Sequence, residues 1–216
     1  MIPRSTAVWL LTGGVIGPIL LVVVFLILGW TQLGYDPMRM YLSYLSRAEA
    51  GWVAVAATVV SSLLMAGGAI GLRGAMRTSE GPGTWWGPIL IGLAAVGLAL
   101  AGILLTEPGR GFPPGTPPGP TKHPSFVGML HDWAAGLAMC SLPTAMLVMA
   151  RRFASEGGGG RWAAYSSLSA VATVTFLVAS FYPTDVLGVL ERIALLLAAG
   201  WVALVMWKFR REVTRA

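Results

Sequence analysis

The chain has 216 residues, of which 56% are hydrophobic and 11% are charged, and its mean hydropathy is +0.72. About a quarter of the residues of a water-soluble domain are charged, so this composition excludes an ordinary soluble globule. The single cysteine, Cys140, lies in an apolar run and excludes a disulfide framework or a CxxC site. The net charge of +6 comes without a nucleic-acid motif or a stripe of basic and aromatic residues, so we expect no nucleic-acid partner.

Six apolar segments are long enough to cross a bilayer, which takes about 20 residues in a helix. Their apolar runs are continuous rather than alternating, which favours helices over a barrel. The first segment is too long for a signal peptide and no small-x-small cleavage site follows it, so we interpret it as a retained span. The predicted spans are residues 7–30, 52–72, 86–106, 126–150, 163–182 and 186–209. The sequence therefore predicts an all-α polytopic membrane protein with a single six-helix transmembrane domain over residues 1–216.

The last of these spans has the least clear start. Glu191 and Arg192 lie close to its beginning, so its apolar part begins near Ile193. Glycines at small-xxx-small spacing, Gly13 with Gly17 and Gly67 with Gly71, would allow close contact between helices, although glycine is common in membrane helices in any case.

Lysine and arginine are divided unequally between the two ends of the spans. Ten of the 15 lie at the termini and in the second and fourth loops, and five lie in the first, third and fifth loops. Basic residues concentrate on the cytoplasmic side of a membrane. Both termini are therefore predicted to be cytoplasmic, in a multi-pass protein of the cell (inner) membrane.

Most of the candidate chemistry lies on the predicted outer side. Each odd-numbered span ends near a proline and an acid, at Asp36, Glu107 and Asp185, and the fourth span begins with His131 and Asp132. Carboxylates at one depth can share a proton, hold a cation or bind a polar head group. Capping of helix ends accounts for each acid taken singly, so that interpretation stays open. We expect these five side chains in one layer, with at least two of them sharing a cavity.

His131 and Asp132 are the main candidates for general acid–base work. Adjacent helical residues point about 100° apart, so the two do not easily fill one metal site. We expect His131 to face the bundle and to hydrogen-bond an acid or Arg47, because an unpaired imidazole facing lipid is costly. Asp132 is expected to cap the helix or to pair with Arg47 or Arg110. Two histidines fall short of the ligand set that zinc usually takes, so no metal or other cofactor is predicted.

The first outer loop, residues 34–47, has an amphipathic pattern. Met38, Tyr41, Leu42 and Leu45 recur at helical spacing. The pattern fits either a helix lying on the outer leaflet or a plug at the top of the bundle. Polar residues of the first and third loops form a candidate substrate-binding set: Tyr35, Asp36, Ser43, Ser46, Arg47 and Arg110.

Several of these residues lie in motifs that resemble a known family. The motifs are Gly34-Tyr35-Asp36-Pro37, Ser43-x-x-Ser46 running into Gly51-Trp52, Phe112-Pro113-Pro114-Gly115, and Gly128-x-x-His131-Asp132. Across nearly its whole length the chain resembles the prokaryotic six-helix membrane family catalogued as domain of unknown function number 998. The resemblance implies six helices and no particular activity. Glu107 stands where an aspartate is expected in many members of that family.

Three hypotheses of function follow. The first is a membrane protein whose outer-face polar pocket binds, senses or moves a lipid or other amphiphile, with homo-oligomers possible. The second is a membrane-embedded enzyme acting on a lipid or isoprenoid, with His131, Asp132, Glu107 and Asp185 as catalytic acid–base residues. The third is an ion-coupled carrier, which is weaker because charges deep within the spans are absent. A closed His–carboxylate cluster would favour catalysis, and an open pocket with separated carboxylates would favour binding.

Overall fold

The computed structural model describes residues 2–76, 83–119, 121, 123–156, 158–182 and 184–215. Within these residues there are six long α-helices and no β-strand, and each helix is long and apolar enough to cross a membrane. The helices are α1 (Arg4–Thr31), α2 (Gly51–Ala75), α3 (Gly83–Ile103), α4 (Phe126–Ser155), α5 (Gly160–Ser180) and α6 (Leu187–Arg215). The prediction of an all-α chain with six spans is confirmed. Arg77 and Lys122, which entered the charge count, lie outside the described residues.

The helix boundaries differ from the predicted spans mainly where charged residues continue a helix beyond its apolar part. Both α4 and α6 extend past their predicted ends, to Ser155 and Arg215. Glu191 and Arg192, which lie near the start of the predicted last span, are both inside α6, and the helix begins before its apolar part. Intrahelical backbone hydrogen bonds satisfy the peptide groups regardless of side-chain polarity, so charge alone does not end a helix.

The six helices form a closed ring. Each helix packs against its neighbours in sequence, and α6 packs against α1 to complete the ring. The Arg4 guanidinium donates to the carbonyl oxygens of Val213, at 2.7 Å, and Thr214, at 2.8 Å. The first and last helices therefore meet at the same face of the bundle. We call this the terminal face, and the opposite face, where α1, α3 and α5 end, the loop face.

The contact between α1 and α2 depends on glycine. A Cβ added to Gly68 would lie 2.6 Å from Gly14 Cα, and one added to Gly17 would lie 2.7 Å from the Ser61 carbonyl oxygen. These two helices approach closely at their glycines, and the tightest pair, Gly14 and Gly68, lies one residue along from Gly13 and Gly67. Small residues allow van der Waals contact between backbones, which drives helix association in lipid.

Two packed clusters divide the interior. One fills the half toward the terminal face around Trp201, whose indole N–H donates to Ser166 Oγ at 3.0 Å. The other lies at the loop face and is built around Leu45, Tyr44 and Phe112, all buried. The space between the two clusters holds the cavity described below.

Candidate functional site

A cavity of about 230 Å³ lies inside the helix ring. All six helices line it, and its walls are mostly alanine, leucine and other apolar side chains. Pro18 of α1 and Pro143 of α4 are both buried in its wall. A cavity of about 150 Å³ accommodates benzene when its walls are apolar. This one therefore has room for a stretch of hydrocarbon, although not for a whole lipid.

Both ionisable side chains of this cavity and two of its serines lie toward the loop face. Ser43, Ser46, His131 and Glu191 line that end, and they come from three separate parts of the chain. Deeper in the wall, Ser61 and Thr173 are buried, and their hydroxyl oxygens have no hydrogen-bond partner among the described residues. The cavity is thus amphiphilic, with a polar end near the loop face and an apolar body below it.

His131 is buried and held by the end of α3. Its Nδ1 lies 2.9 Å from the Ala101 carbonyl oxygen and 2.6 Å from that of Leu104. Carbonyl oxygens only accept hydrogen bonds, so Nδ1 carries the proton and Nε2 of the neutral ring is the acceptor. His131 faces the bundle as predicted. Its partners are two backbone carbonyls, whereas an acid or Arg47 was expected.

Arg47 also binds the chain that leaves α3. Its Nε donates to the Thr106 carbonyl oxygen at 2.7 Å. The last carbonyls of a helix have no intrahelical partner, and His131 together with Arg47 supplies donors to this region. His131 and Arg47 were expected to contact each other. Instead, both hold the end of α3 in place.

The segment 32–47 closes the cavity at the loop face, and we call it the loop cap. It ends in a 3-10 helix, Leu42–Arg47, in which Leu42, Tyr44 and Leu45 are buried. Of the four apolar residues expected on one face, Met38 is exposed and Tyr41 is only partly buried. The burial of the 3-10 helix fits the alternative of a plug at the top of the bundle better than that of a helix lying on the leaflet. Its buried side chains pack against α1 and the loop after α3 rather than against lipid.

Glu191 and Arg192 attach the loop cap to α6. Glu191 Oε2 accepts the backbone N–H of Leu42 at 2.7 Å. The Arg192 guanidinium donates to the carbonyl oxygen of Pro37 at 2.7 Å and to the hydroxyl of Tyr35 at 2.7 Å. These bonds join segments that are about 150 residues apart in sequence. They hold the plug in one position above the cavity.

Tyr35 is the buried centre of the loop cap. Its hydroxyl donates to the Tyr41 carbonyl oxygen at 3.0 Å, and its ring packs edge-on against Phe112, with centroids 5.5 Å apart. Burial raises the pKa of Tyr35 well above its ordinary value, although the Arg192 guanidinium acts in the opposite direction. The phenol therefore stays protonated and serves as a structural donor and acceptor.

Glu107 caps α4 from outside the cavity. Its carboxylate accepts from the backbone N–H of Ser125 at 3.0 Å and from the Ser125 hydroxyl. Ser125 is the N-cap residue of α4, and its Oγ accepts from Gly128 N at 3.1 Å. The two hydrogen bonds from Ser125 lower the pKa of Glu107. These contacts match the capping interpretation of this acid.

The remaining candidate acids lie elsewhere on the loop face. Arg39 lies between two of them, with Nε 3.9 Å from Asp36 and 3.5 Å from Asp185. Asp132 is exposed, and Arg110 lines a shallow polar cleft together with Asp36 and Arg39. Five residues were expected to lie in one layer. Of these, only His131 lines the central cavity. The structure thus does not bring His131, Asp132, Glu107 and Asp185 together, and within the described residues no three metal-ligating side chains cluster.

Glu191 is the cavity residue that sequence reasoning did not select. Its signal was present as a charged residue inside an apolar run, where ionisable groups are costly and tend to be functional. We took the apolar part of the span to begin after this charge, near Ile193, and did not consider that the side chain faces the interior. The helix begins at Leu187, and Glu191 lies about one turn inside it, in the cavity wall.

Six membrane-length helices around an amphiphilic cavity define a polytopic integral membrane protein. The chain belongs to the family described as "Protein of unknown function (DUF998)", which matches residues 15–208. The resemblance drawn from the loop motifs is confirmed. No curated protein and no solved structure matches the chain.

Proposed function

We propose that this protein binds an amphiphile, as a receptor or carrier, with the apolar part in the central cavity and the head group at the loop-face end. The observation that carries the proposal is the cavity of about 230 Å³, apolar along its body and polar at one end. An apolar site with a few convergent polar groups is the usual form of a small-molecule site. The volume of the cavity suits one segment of a hydrocarbon chain.

We further propose that the loop face is the outer face of the cell membrane and that both termini are cytoplasmic. The unequal distribution of lysine and arginine supports this orientation. The contacts of Arg4 with Val213 and Thr214 keep both ends of the chain at one face. The amphiphile would then enter from the outer leaflet or from the outside.

The enzymatic alternative with His131, Asp132, Glu107 and Asp185 as its acid–base set is disfavoured for a geometric reason. General acid–base catalysis requires the acid and the base to reach the same reacting atoms. Of the four residues proposed for that chemistry, His131 lines the cavity, whereas Glu107 is held by Ser125 and Asp185 lies beside Arg39 on the surface. The carboxyl group that shares the cavity with His131 is that of Glu191, which is bonded to the backbone of Leu42.

The test is to extract the protein with its surrounding lipid in polymer nanodiscs and to identify retained amphiphiles by mass spectrometry. Ala138 lines the cavity and Ala56 is exposed on the outer surface of α2. Ala138→Leu should lose the retained amphiphile because its larger side chain fills the cavity. Ala56→Leu adds the same volume facing lipid and should retain the amphiphile. Equal retention by both variants would place the ligand elsewhere and overturn the proposal.

A further inference from the structure

We infer that the central cavity selects an amphiphile whose head group is a protonated amine, with the Glu191 carboxylate as its counter-ion. The inference rests on the proposed binding function and identifies the class of ligand. It follows from the hydrogen-bond acceptors at the polar end of the cavity that have no donor.

Glu191 is incompletely paired. Its Oε2 accepts one bond, from Leu42 N at 2.7 Å, and none of the ion pairs between described residues includes it. The neighbouring Arg192 is bonded to Pro37, Gly188 and Tyr35. An ionised carboxylate has about four acceptor sites, and removing it from water is costly unless a cation compensates.

Two other polar groups at this end also offer acceptors, and the Ser43 hydroxyl can both donate and accept. Nδ1 of His131 is committed to the Ala101 and Leu104 carbonyls, which leaves Nε2 with a lone pair. The Ser46 hydroxyl donates to the Ser43 carbonyl oxygen at 2.7 Å, so its oxygen can only accept further bonds. A carboxylate, an imidazole nitrogen and a hydroxyl oxygen together suit an ammonium group, which has three N–H donors and no acceptor.

Anionic head groups fit poorly. No lysine or arginine lines the cavity among the described residues, and the nearby Arg47 is bonded to Thr106. A phosphate or carboxylate would therefore face Glu191 without a compensating cation. Quaternary ammonium groups lack N–H donors and are usually held by several aromatic rings. Phe25 is the single aromatic side chain among the cavity-lining residues.

The experiment compares decylamine, decanol and decanoic acid by calorimetric titration of the protein in zwitterionic nanodiscs, with empty nanodiscs subtracted. We expect decylamine to bind at least tenfold more tightly than the other two. Glu191→Gln keeps an acceptor for Leu42 N and should lose at least tenfold in decylamine affinity. Glu49 is exposed, so Glu49→Gln is the matched control and should bind like the wild type.

The outcomes separate this inference from the function on which it rests. If decanol or decanoic acid binds as tightly as decylamine and Ala138→Leu abolishes that binding, the amine inference is wrong and amphiphile binding stands. Undiminished decylamine binding by Glu191→Gln also overturns the inference. If none of the three probes binds saturably, both ideas fail. If Glu191→Gln does not fold, the relative affinities of the wild type for the three probes still test the amine inference.

Discussion

The carboxyl oxygen of Glu191 accepts the backbone N–H of Leu42 at 2.7 Å, so the acidic residue in the cavity wall also holds the loop cap above it. Leu42 lines the cavity as well. Any ligand that draws the carboxylate toward itself competes with this hydrogen bond. If the proposed binding occurs, occupancy of the cavity and the position of the loop cap are therefore coupled through this side chain.

Replacing Arg192 should loosen the loop cap. Arg192→Lys keeps the positive charge, but a single ammonium cannot replace a guanidinium that contacts Pro37, Gly188 and Tyr35 at once. We expect faster amide hydrogen exchange across residues 34–42 in nanodiscs. Arg211, which lies over the Trp207 ring near the terminal face, provides the control. Arg211→Lys should leave exchange in the loop cap unchanged, and unchanged exchange in Arg192→Lys would refute the role assigned to the guanidinium.

The packing of α1 on α2 can be tested at a single methyl group. Gly68→Ala places a Cβ 2.6 Å from Gly14 Cα, and because backbone must move, we expect a loss of about 1–3 kcal/mol of stability. Gly92 of α3 has open space around its added Cβ, so Gly92→Ala should be neutral or stabilising by about 0.5–1 kcal/mol. Unfolding in mixed micelles with increasing dodecyl sulfate measures both. A Gly68→Ala protein as stable as Gly92→Ala would contradict the contact.

Glu107 should make stability depend on pH. Hydrogen bonds from Ser125 lower the pKa of this carboxyl, so its contribution is fully present above the ordinary value of 4.5 and is lost as the pH falls through the lower folded-state pKa. Thermal unfolding in detergent from neutral to acidic pH should show this decline. Glu107→Gln should be less stable near neutral pH and should lack that component. A wild-type profile in the variant would mean that the capping bonds contribute nothing.

The hydrogen bonds of His131 predict an order among its variants. An asparagine amide N–H can occupy the position of Nδ1, whereas a glutamine amide reaches toward the position of Nε2. His131→Asn should therefore retain more stability than His131→Ala, which leaves the Ala101 and Leu104 carbonyls without a donor and should cost about 1–3 kcal/mol. Chemical unfolding monitored by tryptophan fluorescence ranks them. If the asparagine and alanine variants are equally stable, the hydrogen bonds from Nδ1 do not stabilise the protein.

The helices could be predicted from the sequence because membrane spans are encoded locally, as continuous apolar runs. The partners of the polar residues could not, because they depend on which helix ends meet in space. Glu107 was found as an acid after a span, but its bond to Ser125 requires α3 and α4 to be adjacent at the loop face. Glu191 was seen and set aside, since local hydropathy cannot distinguish a charge at a boundary from one facing a cavity.

The seam between α1 and α6 has a consequence for biosynthesis. The helix ring closes between its first and last members, where Arg4 contacts Val213 and Thr214. Chains are made and inserted from the N-terminus, at about 5–20 residues per second. Until α6 is inserted, one flank of α1 borders lipid and the cavity has no complete wall. Glu191 is inserted with that last helix, so the wall of the proposed binding site is complete only in the final step of assembly.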